Sequence, residues 1–199
     1  MLDYSNIFDK GLNYNSYRET VHLLFQEGKT TGEDYSPAML HYTKMNEHRM
    51  NRVEKTTVLT DELIAVISNL KGKYNFLVIS EGWCGDAAQI LPVIEKMVVA
   101  SNSKFELKIV LRDKNLELID AHLTNGGRAI PVLLVLDENK NLVLPKWGPR
   151  PQALQTLRAG WMAETEDTGL VAEQLHGWYA KDKTQATQAE LTELLKQLS

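Results

Sequence analysis

Between residues 74 and 112 the hydrophobic period changes twice, and that switch leaves few folds open to the chain. YNFLVIS (74–80) is a continuous apolar run of strand length, the pattern of a strand covered on both faces. GWCGDAAQILPVIEKMVV follows, with Ile90, Leu91, Ile94, Met97 and Val98 at helical spacing. FELKIVLR (105–112) then alternates Phe105, Leu107, Ile109 and Leu111 with polar residues, apart from Val110. A strand, a helix and a second strand in close succession predict a right-handed crossover and a parallel pair.

The flanking segments extend this unit. NLELIDAHLT reads as a further helix, and VLLVL (132–136), the turn DENKN and LVL (142–144) read as an antiparallel hairpin joining the same sheet. Upstream, SYRETVHLLFQEG places Tyr17, Val21, Leu24 and Phe25 on one helix face and stops at Gly28. Ser36 and Pro37 predict a cap and first turn for a helix that runs through Leu40, His41 and Met45 toward Val53, with Lys44, Glu47, Arg49 and Arg52 on a solvated face. Thr60 caps a third helix with Asp61 and Glu62 in its first turn and Leu63, Ile64, Ile67 and Leu70 inward. Past the hairpin, three helical stretches carry Leu154, Leu157 and Trp161; Leu170, Val171, Leu175 and Trp178; and Leu191 to Leu198 behind a capping box of Thr187 and Glu190. The expected fold is α/β, three layers with a mixed central sheet and helices on both faces, plus extra C-terminal helices. Residues 1–72 form a helical N-terminal extension packed on the main domain, 73–199, because its apolar faces need burial.

Twenty-two basic against twenty-six acidic residues give a formal charge of −4, so neither nucleic acid nor an anionic membrane is an expected partner. MLDYSNIFDKG lacks a basic start followed by an apolar stretch, and no run approaches a membrane span, so a cytoplasmic location is expected. The pattern carries no signal for an oligomeric state.

The chain has one cysteine, Cys84, at the junction of the first strand with its helix. Unpaired N–H groups at a helix start favour a thiolate there, Gly85 permits a tight turn beside the sulfur, and Trp83 shields one side of it. The competing reading is a small buried apolar residue, the usual condition of a free cysteine. Asp86 in the first turn opposes the helix terminus by repelling a thiolate, or simply stabilises the helix. One cysteine, one aspartate and no nearby histidine fall short of a metal ligand set. His22, His41, His48, His122 and His176 are scattered, with His122 alone placed to approach Cys84, and Gly126 and Gly127 read as a turn.

WCGDAAQILP (83–92) followed by GRAIPVLLVL (127–136) resembles the thioredoxin family, whose strand-to-helix turn reads WCGPC. The resemblance spans residues 74 to about 150. In it Pro92 stands at the family's helix proline, and Pro131, after Ile130, at the cis-proline that lies against the active-site sulfur and presents backbone to a substrate. WCGDA together with RDKNLELID, LTNGG, RAIP and WGPRP is similar to a bacterial single-cysteine thioredoxin-like family of largely undefined activity, whose pattern includes the N-terminal helices. The family's resolving cysteine falls on Ala87 and its buried acid on Val78, so a dithiol mechanism is excluded.

What the resemblance implies is redox chemistry in the monothiol mode. Cys84 attacks a disulfide, and a protein or low-molecular-weight thiol, glutathione or an equivalent, resolves the mixed disulfide. No tightly bound cofactor is implied. Arg112, Arg128 and the loop Trp147 to Arg150 are expected to gather around Cys84, where three guanidinium groups favour the thiolate and grip carboxylates of an anionic thiol. Against this stands pairing with acids such as Asp113, and for Trp147 a core role. The rival function is a non-catalytic binding module that keeps the scaffold and holds a peptide or protein in the groove. A thiol pKa clearly below about 8.5 favours exchange, and a higher one favours binding.

Overall fold

The computed structural model describes residues 2–198. Its sheet has three strands, β1 (Tyr74–Ser80), β2 (Phe105–Leu111) and β3 (Val132–Leu136), in the order β2-β1-β3. β1 runs parallel to β2, from Tyr74 opposite Phe105 to Ser80 opposite Leu111, and antiparallel to β3, from Asn75 opposite Leu136 to Ile79 opposite Val132. Central β1 is buried from Asn75 through Ser80, as its unbroken apolar run requires when helices cover both faces.

Nine described helices surround the sheet: α1 (Tyr4–Asp9), α2 (Tyr14–Gln26), α3 (Pro37–Thr56), α4 (Asp61–Asn69), α5 (Gly85–Ala100), α6 (Leu116–Asp120), α7 (Gln152–Glu164), α8 (Thr168–Asp182) and α9 (Gln185–Lys196). The crossover helix α5 is packed by α3, α4 and α9, while α1 and α2 lie against β2. Leu12 exchanges two backbone hydrogen bonds with Ile109 (2.9 and 2.7 Å), so the N-terminal segment occupies the β2 edge that would otherwise stand open. Ser36 and Thr60 cap α3 and α4 from their hydroxyls, and Gly28 takes a φ of +71° after α2.

Several local expectations give way to tertiary packing. α3 buries Thr43, Asn46, Met50 and Val53, and leaves His41 and Met45 exposed. The reason is its packing against α5 and the turn before it: Asn46 donates to the Gly82 carbonyl (3.0 Å), and Arg52, itself exposed, donates to Gln89 (3.1 Å), while Arg49 is half-buried. Ile64, Leu157 and Leu170 are exposed as well. The helix after β2 shortens to α6, preceded by a 3-10 turn at Arg112–Lys114.

LVL does not form a second hairpin strand. Asp137 accepts from the backbone of Asn139 and Asn141 (2.8 Å each), and Pro145 has no N–H for a ladder. Only bridges at Leu142 and Trp147 remain beside β3. Thr187 and Glu190 do not form a capping box, since α9 begins earlier, after Thr184. Glu190 instead accepts from the Trp147 indole (2.8 Å) and the Gln152 N–H (2.6 Å), fastening α9 to the segment that enters α7.

α7 and α8 pack mainly on each other, around a satellite cluster of Leu154, Leu175 and Tyr179 flanked by Trp161 and Trp178. This helix pair stands over the N-terminus of α5. No described helix is long and apolar enough to cross a membrane.

Candidate functional site

Cys84 is the N-cap residue of α5. Its Sγ accepts from the Ala87 N–H (3.5 Å) and donates its own proton to the Ile130 carbonyl (3.3 Å), in a peptide joined cis to Pro131. The helix start and the Ile130–Pro131 segment thus lie side by side. The sulfur's protonation differs from what the helix terminus alone dictates. Only 7% of Cys84 is exposed, and burial pushes the thiol up to about 12, with the Asp86 carboxylate adding to the rise. The Ala87 N–H and the Arg150 guanidinium pull the other way without reversing it.

Above this sulfur lies a cavity of about 700 Å³. Of the residues singled out from sequence, Trp83, Cys84, Gly85, Asp86, Arg112, Arg128, Ile130 and Arg150 line it. Ala87 is buried beneath and contributes its N–H, and Pro131 is buried with its carbonyl turned to Gly148. Trp147 belongs to the core: it bonds Glu190, exchanges backbone hydrogen bonds with Leu133 and does not line the cavity. His122 is held by the Tyr4 hydroxyl (2.9 Å) and does not line the cavity either.

The three arginines arrive near the sulfur already committed. Arg150 makes a bidentate pair with Asp86 (Nε 3.1 Å, Nη2 2.6 Å), and Asp86 also accepts from the Tyr179 hydroxyl (2.8 Å). Arg128 pairs with Asp120 (2.6 and 2.8 Å). Arg112 pairs with Asp113 (2.8 Å) and lies over the Trp83 ring at 4.7 Å. A cluster of free guanidinium groups gripping a thiol cofactor is therefore replaced, for these three, by charge-neutral pairs. Asp86 is both a first-turn acid and the anchor that ties α5 to α7 and α8.

The segment before Cys84 is braced by the N-terminal extension. Thr31 donates to the buried Glu81 carboxylate and accepts from the Gly82 N–H (2.9 Å), and Glu81 accepts from the Asp113 N–H (2.9 Å). Burial raises the Glu81 pKa.

Residues that sequence spacing did not single out complete the walls: Met39, Arg49, Arg158, Met162 and His176. The His176 ring lies so close to Gly85 that a Cβ there would meet its Cε1 at 2.6 Å, which gives Gly85 a packing reason beyond turn geometry. Nothing near His176 in sequence announces this, because the contact spans α5 and α8. His176 Nδ1 faces the Gln89 amide (3.4 Å), and burial with the positive charge of Arg49 and Arg52, opposed by Asp86, lowers its pKa from 6.5 to about 4.

A histidine that must shed its proton to be buried stabilises the fold above its ordinary pKa and loses that contribution as pH falls from 6.5 toward 4. The drop is expected to be on the order of 3 kcal/mol. Urea midpoints measured across this window should fall more steeply for the native chain than for His176→Asn, and parallel curves would remove His176 as the cause. Among the described residues no group of three or more His, Cys, Asp and Glu side chains is arranged to hold a metal ion.

Comparison with known proteins bears on the family and the fold. A family model described as thioredoxin matches residues 32–165, a stretch that starts within the N-terminal helices and ends at the close of α7. Among solved structures, a protein of unknown function, PA1234, from Pseudomonas aeruginosa is similar over 100% of both chains at 20% identity, with a TM-score of 0.66. An HIV epitope-scaffold is similar over 98% of both chains, also at 20% identity, with a TM-score of 0.62. These likenesses concern the fold. No curated protein matches the chain.

Proposed function

The chain belongs to the thioredoxin family, and from that premise we propose that this member works as a thiol-lined receptor, taking a small partner molecule into the cavity over Cys84. The observation that carries the reading is the cavity itself. It is about 700 Å³, within the range of small-molecule sites, with the sulfur at its base and α7–α8 over it. The thiol's state supports binding over attack. With burial holding the thiol well above its ordinary value, little of it is thiolate at pH 7, and the gain in nucleophilicity that accompanies a high pKa recovers only part of that loss.

Monothiol exchange is the second reading, favoured by the sulfur's place at the α5 start beside the Ile130 carbonyl. In that reaction the Cys84 thiolate forms a bond to one sulfur of a disulfide and expels the other as a thiolate. A second thiol, from glutathione, an equivalent or a protein, then attacks the mixed disulfide and returns Cys84 reduced. The arrangement that Cys84 has no resolving partner in its own chain holds for either reading.

Alkylation separates the two. Labelling of Cys84 by iodoacetamide is expected to rise about tenfold per pH unit from pH 7 to pH 10 without a plateau, and incubation with oxidised glutathione at pH 7 to give no mixed disulfide. A plateau with a midpoint below about 8.5, accompanied by a glutathione adduct that added thiol releases, would replace the receptor reading with exchange.

A further inference from the structure

The cavity's charge is unlike that of the chain. A protein of net charge −4 lines this space with five arginines, Arg49, Arg112, Arg128, Arg150 and Arg158, against two acids, Asp86 and Glu166. Three of the arginines are neutralised by Asp113, Asp120 and Asp86. The remaining two, Arg49 on α3 and Arg158 on α7, have no carboxylate partner among the described residues. Both are partly buried. Arg49 donates to the Asn46 side chain (2.7 Å), and its Nη1 stands 3.9 Å from where a Gly85 Cβ would be, beside the start of α5.

Each of these guanidinium groups is also uncomfortable. Burial, and next the like charge of Arg52, lowers the Arg49 pKa, and burial with the charge of Arg150 lowers that of Arg158. Glu166, at the exposed α7–α8 turn, is the one lining acid outside the Arg150 pair. The same cavity is also lined by apolar side chains: Met39, Trp83, Met162, Val171 and Leu175. Unpaired guanidinium groups beside apolar walls and a cysteine sulfur call for a ligand with an oxyanion at one end and a hydrocarbon body.

We propose that the cavity over Cys84 binds a small organic oxyanion, with Arg49 and Arg158 holding its charged group and the methionine-lined wall its apolar body. This rests on the receptor reading and names the chemistry of its ligand. Arg49, Gly85 and Cys84 adjoin, so a ligand on Arg49 covers the sulfur. The anionic end also enters the field of the α5 N-terminus, which adds to its attraction.

The test uses two fluorescent probes of nearly the same hydrocarbon body, the anionic 8-anilinonaphthalene-1-sulfonate and the neutral N-phenyl-1-naphthylamine. With the full chain, the sulfonate is expected to bind at one site, to weaken with added salt, and to slow iodoacetamide labelling of Cys84 at pH 9. Octanoate should displace it, and inorganic phosphate at the same concentration should not. Arg49→Met and Arg158→Met are each expected to weaken the sulfonate about tenfold, and to leave the neutral probe unchanged. Near-UV circular dichroism confirms that the variants keep their fold, and the salt and probe comparison on the native chain stands without them. Equal binding of the two probes, with no salt dependence, overturns the oxyanion proposal while the receptor reading survives. Failure of both probes to bind, or binding that leaves Cys84 labelling and the cavity-filling variant Ala172→Trp unaffected, removes the receptor reading itself.

Discussion

Asp86→Ala is expected to lower the stability of the chain by about 3–5 kcal/mol and, at the same time, to make Cys84 easier to alkylate. Asp86 is buried, and its two oxygens receive the Arg150 guanidinium (3.1 and 2.6 Å) and the Tyr179 hydroxyl (2.8 Å). Truncation leaves a guanidinium with 13% side-chain exposure unpaired and a buried phenol without its acceptor. Either is costly away from water. The same change removes the carboxylate whose repulsion adds to the elevated thiol pKa, and leaves the Arg150 charge acting on the sulfur alone. Urea denaturation reads the first effect, and iodoacetamide labelling at pH 8, expected to rise about tenfold, reads the second. Asp86→Asn keeps an acceptor for Tyr179 and should fall between. A loss under about 1 kcal/mol for Asp86→Ala would mean that this pair does not hold α7 and α8 to the sulfur.

Gly148→Ala should be as damaging for a different reason. Gly148 has a φ of +119°, which L side chains rarely adopt, and a Cβ there would lie 2.2 Å from the Pro131 carbonyl oxygen. Neither neighbour can move away cheaply. Trp147 is tied to Leu133 by two backbone hydrogen bonds (2.8 and 3.0 Å), and Ile130 receives the Cys84 proton. About 3 kcal/mol or more is expected, read as a shift of the urea midpoint. Gly160→Ala is the matched control. It lies in α7 with no atom within 4 Å of the added carbon, so the same change should leave stability equal or raise it by up to about 1 kcal/mol. If both variants behave alike, the close approach of Gly148 to Pro131 is not what limits that loop.

The elements and the site were not equally legible. The strands β1 and β2, the crossover α5, the caps at Ser36 and Thr60 and the stop at Gly28 follow from local pattern, because the groups that make them lie within a few residues. LVL has the make-up of a strand, but that pattern says nothing of Asp137 closing its own turn or of Pro145 interrupting the ladder. The capping box at Thr187 and Glu190 failed for a related reason: a glutamate that suits a local cap finds a better-placed donor in Trp147, forty-three residues away. α3 buries Asn46, which donates to the Gly82 carbonyl just before α5, a contact that local spacing does not reveal.

Within the site, Cys84, its helix start and its Ile130–Pro131 neighbour are legible in the sequence through a strand-to-helix junction and the resemblance to WCGPC. The arginines could be named but not their partners. Asp113 stands next to Arg112 in the chain, whereas Asp86 lies sixty-four residues before Arg150. Nothing in the spacing distinguishes a guanidinium that will be paired from one, like Arg49 or Arg158, that will face a cavity without an acid.

By itself the sequence determined a single cysteine with no internal disulfide, a parallel strand-helix-strand unit, and a sulfur at a helix start. Those are consequences of composition and of short-range periodicity. Only the tertiary structure decided the state of that sulfur and the size and charge of the space above it. Desolvation and ion pairing depend on which side chains converge, and here the burial of Cys84, with the Asp86 carboxylate held beside it by Arg150 and Tyr179, outweighs the helix terminus that local sequence predicts to govern the thiol.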